Sequence, residues 1–363
     1  MGIYGRVIFY FQFIILLITL NILLLGDIFM IKCAIVGATG LVGRTFLKVL
    51  EEKKLPIDEY VLFASKNSAG NIIEFNGKEY IVQELTHDSY KQGFDYALFS
   101  AGASTSKEYA KDFSEHGTIV IDNSSWFRQD SDIPLVVPEI NIKTAYNSNL
   151  IANPNCSTIQ AVLAIWPLYK KYGIKRIVYS TYQAVSGAGQ KGIDDYYNSP
   201  SNLPMKKFPY QIYNNCIPHI DAFLENGYTK EEMKMINETH KILNNDSVNI
   251  TATCVRVPVL NCHSESINIQ FDDDIVIDID EIKKLLENQE GVIVLDNPNL
   301  NLYPINTMTT DKNDVLIGRI RKDFSVKSGI NIWVVADNIR KGAATNAVQI
   351  LEKLIKYKNC SNT

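Results

Sequence analysis

Residues 32–36 are a short apolar run that leads straight into Gly37-Ala38-Thr39-Gly40-Leu41-Val42-Gly43, and a helical pattern follows to about Glu52. A buried strand, a glycine turn and a helix in that order constrain this chain more than any other feature. They open a dinucleotide-binding unit of an α/β sheet. Without a Cβ the turn can tighten, and its backbone can approach a pyrophosphate that the helix N-terminus attracts. The spacing is G-x-x-G-x-x-G, one residue longer than the common G-x-G-x-x-G, and tight turns also use glycine for structural reasons alone. The setting between strand and helix selects cofactor binding, with Gly37, Thr39, Gly40, Leu41 and Val42 as the contacts.

The alternation continues with strands expected over 59–64, 79–83, 94–100, 118–122 and 135–137, several of them separated by helical stretches. This is a mostly parallel α/β sheet of Rossmann type. The end of the second strand normally carries an acid that binds the ribose hydroxyls of NAD. Here it runs into Ala64-Ser65-Lys66-Asn67-Ser68, with no carboxylate. A 2′-phosphate should be accepted there, so NADP is the expected cofactor, with Ser65, Asn67 and Ser68 at its ribose end; an ordinary polar loop is the alternative. The loops 100–105 and 122–128 end strands and should face the same crevice, which places Arg128 to meet an anion. Taken alone, Arg128 reads as a surface arginine.

The next constraint is Asn153-Pro154-Asn155-Cys156-Ser157-Thr158, followed by the apolar run 159–166. Cys156 falls where a loop becomes a helix. Asn155 can cap that helix, and the free amides of its first turn favour negative charge. A free thiol titrates near ~8.5, and helix N-termini or cations can bring it to roughly 3.5–7.5, so some thiolate, a nucleophile, is expected at neutral pH. A small buried hydrophobe is the competing reading.

The second half has α+β character. A strand over 175–185 leads into Ser186-Gly187-Ala188-Gly189, where backbone can again approach a ligand, and 198–208 reads as a long surface loop. A helix over 230–243 places Glu231 and Lys234 on one face, as a solvated salt bridge or as an acceptor and a cation for a substrate. Strands over 249–257, 265–271, 315–321 and 331–336 enclose a helix over 279–288. Arg256 and His263 flank the turn 258–262 and can reach one pocket. His263 can take a proton and return it near neutral pH. Four other histidines exist, His87, His116, His219 and His240, and spacing alone does not select among them.

At 363 residues the chain is long enough for two domains. A formal net charge of -4 shows no basic surplus, so nucleic acid is not indicated as a partner. Six scattered cysteines without a C-x-x-C spacing suit a reducing compartment and indicate no metal site. Residues 7–25 are almost wholly apolar, interrupted by Gln12, Thr19 and Asn21 and flanked by Arg6 and Asp27. A membrane span, a signal peptide without a cleavage site and an upstream in-frame start before Met30 all fit. The last is favoured, because insertion with the positive end inside would carry the following domain away from the cytosolic cofactor pool. The expected location is therefore cytoplasmic, with membrane association left open.

Together, the glycine turn at 37–43, the hexapeptide 153–158, Tyr182-Gln183-Ala184-Val185-Ser186-Gly187-Ala188-Gly189, and Arg256 with His263 resemble the aspartate-β-semialdehyde dehydrogenase family from Met30 to about Lys356. The resemblance implies Cys156 as nucleophile, His263 as acid/base and Gln183 as the residue that positions the reacting group. It implies that Arg256 and Glu231 hold the amino-acid end of the substrate, that Arg128 and Lys234 hold phosphate, and that Ser186, Gly187 and Asn338 contact NADP.

The implied reaction is NADPH-dependent reduction of aspartyl phosphate to aspartate semialdehyde through a thioester, in lysine, threonine, methionine and diaminopimelate biosynthesis. The implied partners are substrate, phosphate and a second copy of the chain, as a homodimer or homotetramer. The domain reading is an extension at 1–29, an NADP-binding Rossmann domain at 30–152 completed by a C-terminal helix at 338–358, and a catalytic and dimerisation domain at 153–337.

Two features depart from the pattern: Asn67 stands where arginine is common, and the extension has no counterpart. N-acetyl-glutamyl-phosphate reductase shares the chemistry but places its nucleophile in a Gly-Cys-Tyr-Pro-Thr context. A non-catalytic membrane-tethered paralogue would have lost the nucleophile or its base.

Overall fold

A computed structural model of the chain describes residues 30–201 and 203–361. Among them the glycine turn does open a doubly wound sheet. Its strands are β1 (Lys32–Val36), β2 (Glu59–Ala64), β5 (Gln83–Glu84), β6 (Tyr96–Phe99), β7 (Ile119–Asp122) and β8 (Leu150–Ala152), all parallel, in the order β5-β2-β1-β6-β7-β8. The order reverses between β1 and β6, and a crevice opens beyond the carboxyl ends of strands at such a switch point. Helix α1 (Leu41–Lys53) follows β1, and α2 (Ala103–Glu115) follows β6.

Two expected strands differ. The segment 79–83 is split: β4 (Lys78–Ile81) pairs with β3 (Ile72–Phe75) in a separate hairpin, and only the last part joins the sheet edge as β5. Asn76 and Gly77 close that hairpin with φ of +51° and +67°, the pair of positive angles that a two-residue turn needs to match the strand twist. The segment 135–137 contributes a single bridge, Leu135 to Ala152. Pro134 and Pro138 flank it and limit its ladder, and β8 takes the place beside β7.

The second sheet is mixed, in the order β10-β9-β11-β14-β13-β12. It contains β9 (Arg176–Gln183), β10 (Asn249–Arg256), β11 (His263–Gln270), β12 (Val292–Val294), β13 (Val315–Lys322) and β14 (Gly329–Ala336). Helix α3 (Cys156–Tyr172) lies between the two sheets. Ile159 and Val162 pack into the core of the first, while Ala161, Leu163 and Ala164 pack into that of the second. A helix with cores on two sides has no polar stripe, which accounts for the run 159–166.

Helices α4 (Gln190–Asn198), α5 (Lys230–Leu243) and α6 (Ile279–Glu287) complete the second half. The chain then returns. A π-turn over Arg340–Ala344 leads into α7 (Thr345–Ser361), whose Ala347, Val348, Leu351 and Leu354 share a core with α1. The apolar stretch 7–25 lies outside the described residues. Among the described residues no helix is long and apolar enough to cross a membrane.

Candidate active site

Both halves contribute to one cleft of about 510 Å³. Cys156 is the first residue of α3, and Asn155 caps that helix as its sequence context implies, Oδ1 accepting from the backbone N–H of Ser157 at 3.0 Å and of Thr158 at 3.3 Å. The cap is also a hub. Asn155 Nδ2 donates to Glu231 Oε1 at 2.9 Å, and its backbone N–H donates to Glu238 Oε2 at 2.6 Å. The N-terminus of α3 is thereby pinned to α5.

Cys156 Sγ lies 3.2 Å from His263 Nε2, across 107 residues of sequence. His263 is the first residue of β11 and fully buried behind the thiol. Its Nδ1 receives the backbone N–H of Ala184 at 3.0 Å. A backbone N–H only donates, so Nδ1 is an acceptor, which assigns the proton of the neutral ring to Nε2, facing sulfur. Burial, with the neighbouring Arg256 charge, holds the imidazole down at about 3. Burial pushes the thiol up to about 12, with help from Glu231, against the pull of Arg128, Arg256 and the Ser157 N–H. This corrects the expected neutral-pH thiolate: the helix terminus favours the anion, but loss of hydration on burial outweighs it.

Gln183, at the end of β9, donates from Nε2 to Glu231 Oε1 at 3.0 Å, and Thr181 Oγ1 donates to its Oε1 at 3.0 Å. Lys234 Nζ reaches Glu231 Oε2 at 3.1 Å and Asp221 Oδ2 at 2.8 Å. Burial pushes the Glu231 carboxyl up, yet Lys234 and the amides of Gln183 and Asn155 outweigh it and hold it at about 2. Burial pulls the Lys234 ammonium down, and Glu231 and Asp221 outweigh that and hold it at about 12. Arg256 Nη1 is spent on the Ala184 carbonyl at 2.6 Å. Arg128 donates to the Asn123 carbonyl at 2.9 Å and pairs with Glu238 at 3.4 Å, while its buried Nε has no partner.

The expected residues Leu41, Val42, Arg128, Cys156, Gln183, Ser186, Gly187, Glu231, Lys234, Arg256 and Asn338 all line this cleft. Gly37, Thr39 and Gly40 form the turn just before Leu41. Ser65, Asn67 and Ser68 do not line the cleft; they belong to the short turn beyond β2, Ser65 and Asn67 exposed and Ser68 half-buried. Gly40 ends that first turn as an N-cap without a side-chain bond, and the first turn of α1 carries no acid, so its amides stay open to an anion. A Cβ on Gly37 would fall 2.4 Å from the Ser100 carbonyl oxygen, so only glycine lets the two strand-end loops meet. These features fit a dinucleotide.

Sequence reading missed Glu238 and Asp221, which anchor Arg128 and Lys234. Glu238 follows Glu231 by two helical turns, a signal that was present. The described residues of 198–208 lie mostly at the surface, as expected, but the segment is anchored: Asp195 accepts the backbone N–H groups of Lys206 and Lys207 at 2.7 Å and of Phe208 at 3.0 Å, which brings Lys207 to the cleft wall.

Comparison with known proteins bears on the family and the fold. Residues 32–148 match the family described as semialdehyde dehydrogenase, NAD binding domain, and 165–341 match semialdehyde dehydrogenase, dimerisation domain. The aspartate-semialdehyde dehydrogenase of Aquifex aeolicus is 54% identical over 335 residues, covering 90% of this chain and 98% of that one. A crystal structure of aspartate semialdehyde dehydrogenase II from Vibrio cholerae, complexed with ASA, superposes with a TM-score of 0.85 at 46% identity, covering 90% of this chain and 98% of that one. The Candida albicans enzyme, solved with NADP, gives 0.73 at 26% identity, covering 91% and 99%. Two matched domains and an identity of 54% across 90% of its length make this chain a member of the aspartate-semialdehyde dehydrogenase family.

Proposed function

We propose that the cleft converts L-aspartyl-4-phosphate to L-aspartate 4-semialdehyde and inorganic phosphate, with NADPH as reductant, through a thioester on Cys156. The observation that carries this is the 3.2 Å contact of Cys156 Sγ with His263 Nε2 at the head of a helix, in a cleft that also holds Arg128, Lys234 and Arg256. Sulfur gives up its proton to the departing phosphate and bonds to the acyl carbon as the carbon–oxygen bond to phosphate breaks, the phosphate keeping the electron pair of that bond. Arg128, with its free Nε, and Lys234 hold that phosphate. Glu231 takes the substrate ammonium and Arg256 its carboxylate. Docking of the ammonium neutralises Glu231, and this removes one of the charges that disfavour the thiolate.

Gln183 orients the reacting carbonyl. His263 holds its proton at Nε2 beside Sγ and lends it to negative charge that develops on sulfur and then on the former carbonyl oxygen. NADPH, when bound, supplies the hydride that brings the acyl group to the aldehyde level. The 37–43 turn, Leu41, Val42, Ser186, Gly187 and Asn338 would hold it, with Ser65, Asn67 and Ser68 toward the ribose phosphate.

The same reading gives a homodimer or dimer of dimers formed through residues 153–337, a Rossmann domain over 30–152 completed by the last helix, and a cytoplasmic place beside the nicotinamide pool. The test is phosphate-dependent NADP reduction by the purified chain with aspartate semialdehyde, with N-acetyl-glutamate semialdehyde and NAD run in parallel. Turnover on the acetylated substrate alone would reassign the substrate. Turnover by Cys156→Ala would remove the nucleophile assignment.

A further inference from the structure

Behind the Cys156–His263 pair lie polar groups that the proposed reaction does not use. Glu265 follows His263 by two residues on β11, so both side chains leave the same face of the sheet, and both are fully buried. Gln160, also fully buried, is one turn along α3 from Cys156 and on the same helix face. Its Nε2 donates to the His263 backbone carbonyl at 3.3 Å. Gln160 Oε1 and both Glu265 oxygens have no hydrogen-bond partner, although the Gln160 amide is near enough to draw the Glu265 carboxyl down, against the larger upward push of burial. The buried ion pairs Arg128–Glu238 and Lys341–Glu139 and the half-buried pair Lys234–Glu231 leave Glu265 out.

An amide oxygen and two carboxylate oxygens are all acceptors and cannot satisfy one another, and each unmet buried acceptor is destabilising. One proton on the carboxyl changes that inventory. We infer that Glu265 is a neutral carboxylic acid whose O–H, held toward Gln160 Oε1, fixes the Gln160 amide against the His263 carbonyl, so that Glu265 is a positioning residue for His263. Burial independently pushes this carboxyl well above its ordinary range. The titratable side chains that sense it, Tyr179 on β9 and Cys254 on β10, are themselves kept neutral by burial. The position of His263 is thus set through its own backbone, from the helix that carries the nucleophile.

The inference rests on the role given to His263, so one arm of its test does not depend on turnover. Infrared difference spectra of the full chain against Glu265→Gln at pH 7 are expected to show a protonated-carboxyl band that the variant lacks; a wild-type chain without that band overturns the inference, whatever the enzyme catalyses. In steady state, Glu265→Gln, whose amide still donates, is expected to keep kcat within about threefold, while Glu265→Leu loses about tenfold in kcat with KM values and NADP binding little changed. Equal losses in both variants, or no loss in Glu265→Leu, would also overturn it. Should Glu265→Leu fail to fold, the infrared arm and Glu265→Gln still decide.

Discussion

Gly342 packs directly on Cys156: a Cβ built on Gly342 would lie 2.9 Å from Cys156 Cβ and 3.3 Å from its Cα. The contact is made by the π-turn, in which the Gly342 N–H reaches the Asp337 carbonyl at 3.0 Å and the Ala344 N–H reaches the Ile339 carbonyl at 3.0 Å. Such turns concentrate at functional sites, and here one presses the returning chain against Cys156.

Gly342→Ala forces either the π-turn or α3 to yield. The expected outcome is a stability loss of about 1–3 kcal/mol, as for overpacked cores, together with a lower kcat. Iodoacetamide labelling of Cys156 checks it directly. A labelling rate and kcat equal to wild type would mean that the contact relaxes without moving sulfur.

Acid should destabilise the fold earlier than surface carboxylates alone would. His263 is held at about 3 against an ordinary 6.5, and Glu231 at about 2 against 4.5. In both cases the unfolded chain takes up the proton first. The stability they contribute is fully present above pH 6.5 and 4.5 and drains away as pH falls toward the folded values. Urea midpoints measured between pH 7 and pH 4 should fall, and His263→Gln should flatten the upper part of that decline. An unchanged slope in the variant would contradict the buried neutral imidazole.

Lys234→Ala removes the cation that Glu231 and Asp221 hold over the cleft. A charged hydrogen bond contributes roughly 1.5–3 kcal/mol, so the phosphate KM should rise by about tenfold or more. NADP affinity, read by fluorescence titration, should stay near wild type. A loss of cofactor binding instead would place Lys234 elsewhere in the reaction.

Lys341 is fully buried and donates to Glu139 Oε1 at 2.7 Å and Gln349 Oε1 at 2.8 Å. Lys341→Met strands the Glu139 carboxylate in the interior, and breaking such a pair costs about 3–5 kcal/mol. Guanidinium unfolding measures this. Adding Glu139→Gln to Lys341→Met should restore part of the loss, because the remaining group is then neutral.

Local signals carried much of the fold. The glycine turn after β1, the Asn155 cap before Cys156 and the alternation of buried positions in β9 and β11 are short-range patterns, set by φ/ψ freedom and burial within a few residues. The Asn76-Gly77 hairpin was equally local and still lay hidden, because the β-forming residues after it suit a hairpin strand and a central strand alike.

By itself the sequence determined which chemical groups exist and which stand at element ends: Cys156 at a helix start, Gln183 and Arg256 at strand ends, His263 at a strand start. Tertiary structure alone decided their protonation and their partners. The thiol and the imidazole meet across 107 residues, and both are kept neutral by a burial that no window of sequence contains. Gly342 meets Cys156 only because the chain returns from the second sheet to the first. Desolvation and long-range packing are properties of the assembled interior, so they stay invisible until the two sheets close on α3.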